Sequence, residues 1–267
     1  AALRSRALRV AEGNLTEQHD GARRAVAAEA VALYRTVIRI APDDDLVARA
    51  GRLATQIALA EGLTADLERD LGTAAAAAPG RAVLRRLLIG LYVGLVRPLV
   101  DAARHGDAET ATAARAALVR HRARALKPLL DALSEPDPTL QRAGLDLLGA
   151  LGNPNATAAL LALAERTAAP DGGAASSEFR RRAMRAAAML ADPRATPRFI
   201  GLLRSDDGVV AALAAWTLGR IDTPAARAAL VATLRDANAR WELRAAAALG
   251  LGRDRAPGTV VLLRQIA

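Results

Sequence analysis

The side chains able to do chemistry are few. The chain has three histidines, no cysteine and a single lysine among its 37 basic residues. Without cysteine there is no disulfide, zinc finger or thiol nucleophile. His19, His105 and His121 stand far apart in sequence and none belongs to a His-Glu helix motif of the zinc-protease kind. Lys127 follows Leu126, whereas the lysine of a phosphate-binding loop follows a glycine. No Gly-x-Ser-x-Gly elbow presents a serine. Asp43, Asp44 and Asp45 lack the glycine and distal glutamate of a calcium loop, so they read as a helix cap, where carboxylates accept amide hydrogen bonds. The expectation is a protein with no catalytic residue, no cofactor site and no metal site.

What remains is the chemistry of recognition. Trp216 falls where the matching positions of neighbouring segments hold Asp146, Arg185 and Ala247. An indole in a polar or small position either anchors a partner or folds down over its own chain. Arginines recur near turns: Arg120, Arg122 and Arg124, then Arg194 and Arg198, Arg227, and lastly Arg253 and Arg255. Brought to one edge, such a row suits an acidic protein, a phosphate backbone or anionic lipid. The competing reading is a solvated edge neutralised by Asp192, Asp222 and Asp254.

The elements that must position these residues repeat. Pro154, Pro193 and Pro224 are separated by steps of 39 and 31 residues. Steps of 39, 31 and 31 align Leu140, Phe179, Val210 and Trp241; a second column runs Gly144, Ala183, Ala214, Ala245, and a third Leu148, Ala187, Leu218, Leu249. Columns four apart lie on one helix face. The proline then separates this helix from a second one, whose column runs Leu129, Leu160, Phe199, Leu230 and Val261. The long step carries a loop insertion, residues 167–177, rich in turn-forming and small residues. Each hairpin has more apolar surface than its own two helices cover, so hairpins must stack.

Leu148-Gly-Ala-Leu-Gly-Asn-Pro-Asn-Ala156, Met189-Leu-Ala-Asp-Pro-Arg-Ala195, Leu218-Gly-Arg-Ile-Asp222 and Ala248-Leu-Gly-Leu-Gly-Arg-Asp-Arg-Ala256, each followed by an apolar stretch, resemble the HEAT-like repeats of bacteria first named from phycobilin lyases. The resemblance spans roughly residues 98–267. It implies an all-α, right-handed α-solenoid of stacked hairpins, a fold used mostly as a protein-binding scaffold. It also implies alternatives: an enzyme subunit like the bilin lyases, which attach a chromophore, or a HEAT-type DNA glycosylase.

Residues 1–80 do not follow these columns. Ala30, Tyr34, Val37-Ile38 and Pro42 have the spacing of the second helix of a tetratricopeptide repeat, half of that signature. Gly72-Thr-Ala-Ala-Ala-Ala-Ala-Pro-Gly80 is the expected boundary. Two segments follow: a tetratricopeptide-like one over 1–80 and a solenoid of about six hairpins over 81–267. Gly90-x-x-x-Gly94 reads as a close helix contact, and the apolar run from Leu87 to Val96 is too short to span a bilayer.

With 52% apolar but 2% aromatic residues, the core must be built of Ala and Leu, which suits closely stacked helices. The net charge is +9, and residues 178–267 carry +7 of it (15 basic against 8 acidic). A high-GC codon bias toward Arg and Ala accounts for this excess better than nucleic-acid binding, which usually adds aromatic or glycine-rich elements. The functional expectation is a non-catalytic scaffold or complex subunit that docks an acidic protein along its concave second-helix surface. A bacterial cytoplasm is the expected compartment, with an envelope complex as the alternative. The last stretch lacks a polar capping unit, so a partner or further chain is expected to cover that end.

Overall fold

The computed structural model describes residues 2–165 and 174–252, with side chains described over 20–165 and 177–252. Every regular element among them is helical. Contacts divide the chain into two compact units, Ala1–Leu95 and Val96–Ala267.

The first unit holds α1 (Ala2–Ile40), α2 (Asp44–Glu61), α3 (Thr64–Ala77) and the start of α4 (Ala82–His105). Pro42 disfavours helix at the residue before it, so α1 ends there. The aspartate cluster is the cap anticipated from sequence: the Asp43 carboxylate accepts from the Asp45 amide at 2.9 Å. Arg81 then donates to Asp44 through Nε and Nη2 at 2.9 and 2.6 Å. At its other end α2 closes on Gly62, whose φ of 70° only glycine adopts cheaply. The core joins Val31, Ile38, Val47, Ala54, Leu67, Leu71, Leu84 and Leu91. A methyl group on Gly51 would overlap Leu87, and one on Gly94 would overlap Leu59, so both glycines let α2 and α4 approach. Gly94 thus makes the close contact expected of it, while Gly90 faces open space. The apolar run around it is buried at Leu87, Ile89, Leu91, Tyr92 and Val96. No helix among the described residues is long and apolar enough to cross a membrane.

The second unit continues through α5 (Ala108–Ala132), α6 (Pro138–Leu151), α7 (Thr157–Ala164), α8 (Ala174–Leu190), α9 (Thr196–Leu202), α10 (Gly208–Ile221), α11 (Pro224–Arg235) and α12 (Trp241–Gly252). Helices α6, α8, α10 and α12 pack side by side in one layer, and α7, α9 and α11 form the other. Caps are the same device repeated: Asp107, Asp137, Asp207 and Thr223 each accept a hydrogen bond from an amide in the first turn of the next helix. Asn153 and Asp192 do so for short 3-10 turns, Pro154–Ala156 and Pro193–Ala195, which lead into α7 and α9. Pro98 and Pro128, by contrast, lie inside α4 and α5.

Two expectations are corrected. The inserted loop was expected through Ser177, but α8 begins at Ala174, since alanine favours helix. The last unit steps by 33 residues rather than 31. Val210, Ala214, Thr217 and Leu218 are followed 33 positions on by Leu243, Ala247, Gly250 and Leu251, all buried. Trp241 and Leu249, assigned to core columns by the shorter step, are 74% and 69% exposed. The cause is α11, which runs on to Arg235 before the Asp236–Arg240 turn, adding two residues ahead of α12. At the opposite end of this pair, Gly219 and Gly250 bring α10 and α12 together so closely that a Cβ on Gly219 would collide with the Gly250 backbone.

Candidate partner-binding surface

Four of the arginines singled out from sequence, Arg122, Arg194, Arg198 and Arg227, are engaged within the chain. Arg122 donates from Nε to the Leu151 carbonyl at 3.3 Å, and its own carbonyl accepts from Asn153 Nδ2 at 3.0 Å. Arg194 forks onto Asp192, with Nε to Oδ1 and Nη2 to Oδ2 both 3.0 Å. That guanidinium, with the Arg194 amide, holds the Asp192 carboxyl below the ordinary carboxylate range against the opposing effect of burial. Arg198 on α9 forks onto Glu165 and also donates to the Ala158 carbonyl at 3.0 Å. Arg227 donates to Asp222 Oδ1 at 2.9 Å. The neutralisation expected of Asp192 and Asp222 is therefore present at both. Arg120 and Arg124 are exposed on α5. Arg253, Arg255 and Asp254 lie outside the described residues, as does Val261 of the second-helix column.

Several arginines absent from that row also act as ties. Arg180, which is buried, donates to the Ala164 carbonyl and to Asp206, lowering the Asp206 pKa. Arg181 holds Asp207 at 2.8 Å, and Arg240 donates to the Ser205 carbonyl at 3.1 Å. Guanidinium planes suit this role because several donors can satisfy carbonyls and a carboxylate together.

The exposed cations of the α7/α9/α11 layer that keep no ion pair among the described residues are different residues. Glu165, Arg204 and Arg235 follow one another by the repeat steps of 39 and 31. Glu165 is consumed by Arg198, whereas Arg204 and Arg235 have no ion pair among the described residues. Around them the layer is low. Ala158, Pro197 and Ala228 share one exposed column, and Ala162, Gly201 and Ala232 another. Two open clefts result, of about 570 Å³ beside Arg198, Arg204 and Asp206, and about 520 Å³ beside Arg227, Val231 and Arg235. The column arithmetic that located Trp216 would also have found Arg204 and Arg235. They lie away from the prolines, Arg235 as the last residue of α11 and Arg204 two residues beyond α9.

Trp216 lies in the other layer, on the exposed face of α10, and is 37% exposed. Arg220 lies 4.8 Å from the ring centroid, and its Nη1 donates to the Ala188 carbonyl at 2.6 Å. The cation therefore fixes the indole plane from one side. With the 33-residue step, the counterpart of Trp216 on α12 is the exposed Leu249, not Ala247. The same column is charged in earlier hairpins, where Arg182 pairs with Asp146 and Glu178, and Arg185 with Glu178. Trp216 and the arginines of α9 and α11 are not brought together. His105 is exposed at the end of α4, and the His19 side chain lies outside the described residues. Among the described residues no group of three acidic or histidine side chains is close enough to hold a metal ion.

Residues 172–252 match the family model described as HEAT repeats. This stretch is HEAT-like. The match takes in α8 to α12, hence Arg204, Arg235, Trp216 and the Gly219/Gly250 contact, while α7 precedes it. No curated protein sequence matches the chain.

Proposed function

We propose that the protein is a non-catalytic interaction scaffold whose HEAT-like unit docks an acidic protein segment across the α7/α9/α11 layer, with a tetratricopeptide-like helical segment ahead of it. The observation that carries this reading is the pair Arg204 and Arg235. Both are exposed on a floor of short side chains, and neither has an ion pair among the described residues, although the neighbouring arginines spend their charge within the chain. Unspent guanidiniums in repeat register offer bidentate sites to carboxylates of an extended segment. Open clefts lined by charged and small groups favour such a segment over a small molecule, which needs an enclosing pocket. Trp216, held by Arg220 beside the exposed Leu249 column, supplies a second, apolar anchor in the other layer. Nothing specific favours chromophore attachment or base excision over this reading.

The test is affinity recovery from source cells with the wild-type chain, an Arg204→Glu/Arg235→Glu variant and a Trp216→Ala variant, each verified to melt like wild type. The scaffold reading expects a defined partner to be lost with the charge reversal. Retention of the same proteins at the same yield by both variants overturns it.

A further inference from the structure

Helices α9 and α11 carry two clefts built alike, one repeat apart. In each, short side chains lie between an arginine whose charge is spent and one whose charge is not. The first cleft, about 570 Å³, sets Gly201 between Arg198, forked onto Glu165, and Arg204. The second, about 520 Å³, sets Ala228 and Ala232 between Arg227, held by Asp222, and Arg235. A methyl group on Gly201 would meet nothing within 4 Å, so the floor is open. Neither cleft is lined by an aromatic side chain, and its affinity for a segment must come from charge.

The acidic groups beside the clefts are engaged elsewhere. Glu165 and Asp222 are taken as above, Asp206 accepts from Arg180 at 3.1 Å, and Asp236 accepts from the Asn238 amide at 2.9 Å. No carboxylate among the described residues forms an ion pair with Arg204 or Arg235. A ligand therefore meets the same cation twice, with one translation between.

That translation selects a backbone. Arg204 and Arg235 are 31 residues apart, on helices in contact with each other, and packed helices lie about 8–10 Å axis to axis. Side chains on one face of a β-strand recur at about 6.6 and 13 Å, the first too short and the second too long. An α-helix meets the step with residues seven apart, at about 10.5 Å, but its carbonyls are used in its own hydrogen bonds. A polyproline II stretch has three residues per turn and rises about 3.1 Å per residue, so i and i+3 share a face about 9.3 Å apart and the carbonyls stay free. Free carbonyls matter here, since a guanidinium that has forked onto a carboxylate keeps further N–H donors. Arg198 makes this double use within the chain, holding Glu165 and the Ala158 carbonyl together. Arginine stems flex, so other spacings are weakened rather than shut out.

We infer that the docked acidic segment is read in a three-residue register: a polyproline II-like stretch with Asp or Glu at i and i+3, one carboxylate on Arg204 and the next on Arg235. The inference rests on the scaffold reading above and adds the spacing of the charges. The next register position toward α7 is Glu165, so a third carboxylate three residues further on gains no free cation.

The experiment uses the full chain and fluorescein-labelled peptides of about nine residues, near 28 Å long in this conformation. Three share one proline and alanine composition and carry two glutamates spaced by two, three or four residues. A fourth is an alanine-rich helix with glutamates seven apart, and a fifth replaces the glutamates of the three-residue spacing by lysine. In fluorescence anisotropy at low salt, the three-residue spacing is expected to bind about fivefold or more tightly than the other glutamate peptides, the gain from one further exposed ion pair. The lysine peptide should not bind. Arg204→Gln or Arg235→Gln alone should erase the preference among spacings while leaving the circular dichroism melt unchanged. Equal affinity for every spacing, lost in Arg204→Gln/Arg235→Gln, overturns the register but keeps the acidic docking surface, and so does tighter binding of the helical peptide. No binding of any glutamate peptide, equal binding of the lysine peptide, or binding that the double variant leaves intact overturns both readings.

Discussion

Arg198 grips Glu165 across two successive hairpins, with Nε to Oε1 at 2.9 Å and Nη2 to Oε2 at 2.6 Å, and the same guanidinium reaches the Ala158 carbonyl. One planar group thus ties α9 to both ends of α7. The carboxylate raises the Arg198 pKa, so the tie stays charged at any physiological pH. Lysine can supply one of these contacts but not the fork. Arg198→Lys is expected to cost about 1 kcal/mol and Arg198→Met somewhat more, read as shifts in urea midpoint at constant slope. Equal stability of wild type and Arg198→Met would show the tie to be a surface pair of no consequence.

Helices α6, α8 and α10 each end on a left-handed residue at one repeat position: Gly152 at φ 68°, Ala191 at φ 46° and Asp222 at φ 52°. Only the glycine is at ease there. Ala191→Gly should stabilise the protein by a few tenths to about 1 kcal/mol despite the added freedom of the unfolded chain, and Gly152→Ala should destabilise it by about as much. Thermal melts of the two variants must move in opposite directions for this account to hold.

A methyl group at Gly219 meets backbone, which cannot swing aside, whereas one at Gly201 meets nothing within 4 Å. Gly219→Ala is expected to cost about 2 kcal/mol by forcing α10 and α12 apart. Gly201→Ala should be neutral or stabilising, since alanine is the better helix former. Comparable melts for the two variants would mean the helices separate freely.

Acid sensitivity follows from carboxyls that the fold holds ionised. The pKa of Asp107 is lowered by the Thr110 amide it caps, Asp192 by Arg194, and Asp206 by Arg180. A folded value below the unfolded one contributes stability that is complete above about pH 4, the ordinary carboxylate value. That contribution is lost as pH falls through the folded values. The melting temperature should thus decline below about pH 4, and Asp206→Asn should lower it at pH 7 while making the acid decline shallower. An unchanged acid slope in that variant would assign the decline to other groups.

Much of the architecture was legible without coordinates. The proline columns located the start of each second helix, and Asp43, Asp107, Asp137 and Asp207 sit where caps belong, because capping involves residues only two or three positions apart. The 31-residue step carried the pattern correctly as far as α10. It failed at α12, where α11 runs longer before the turn, and so placed Trp241 and Leu249 in the core. Trp216 stands out in its column from sequence alone, yet the 31-residue step misassigns its matching residue on α12 by the same two positions.

The arginines show where local reading stops. Arg194 and Arg227 lie two and five residues from the aspartates that hold them, and that neutralisation could be read from the chain. Arg180 finds Asp206 across 26 residues, and Arg204 and Arg235 find no ion pair at all among the described residues. Sequence alone determined that this is a stack of helical hairpins with an Ala- and Leu-built interior, since periodicity, caps and breakers act within a turn or two of helix. Only the tertiary structure decided which charges are spent and which apolar side chains stay uncovered. Both depend on how far each helix turns and approaches its neighbour, a distance set in α10 and α12 by two glycines thirty-one residues apart.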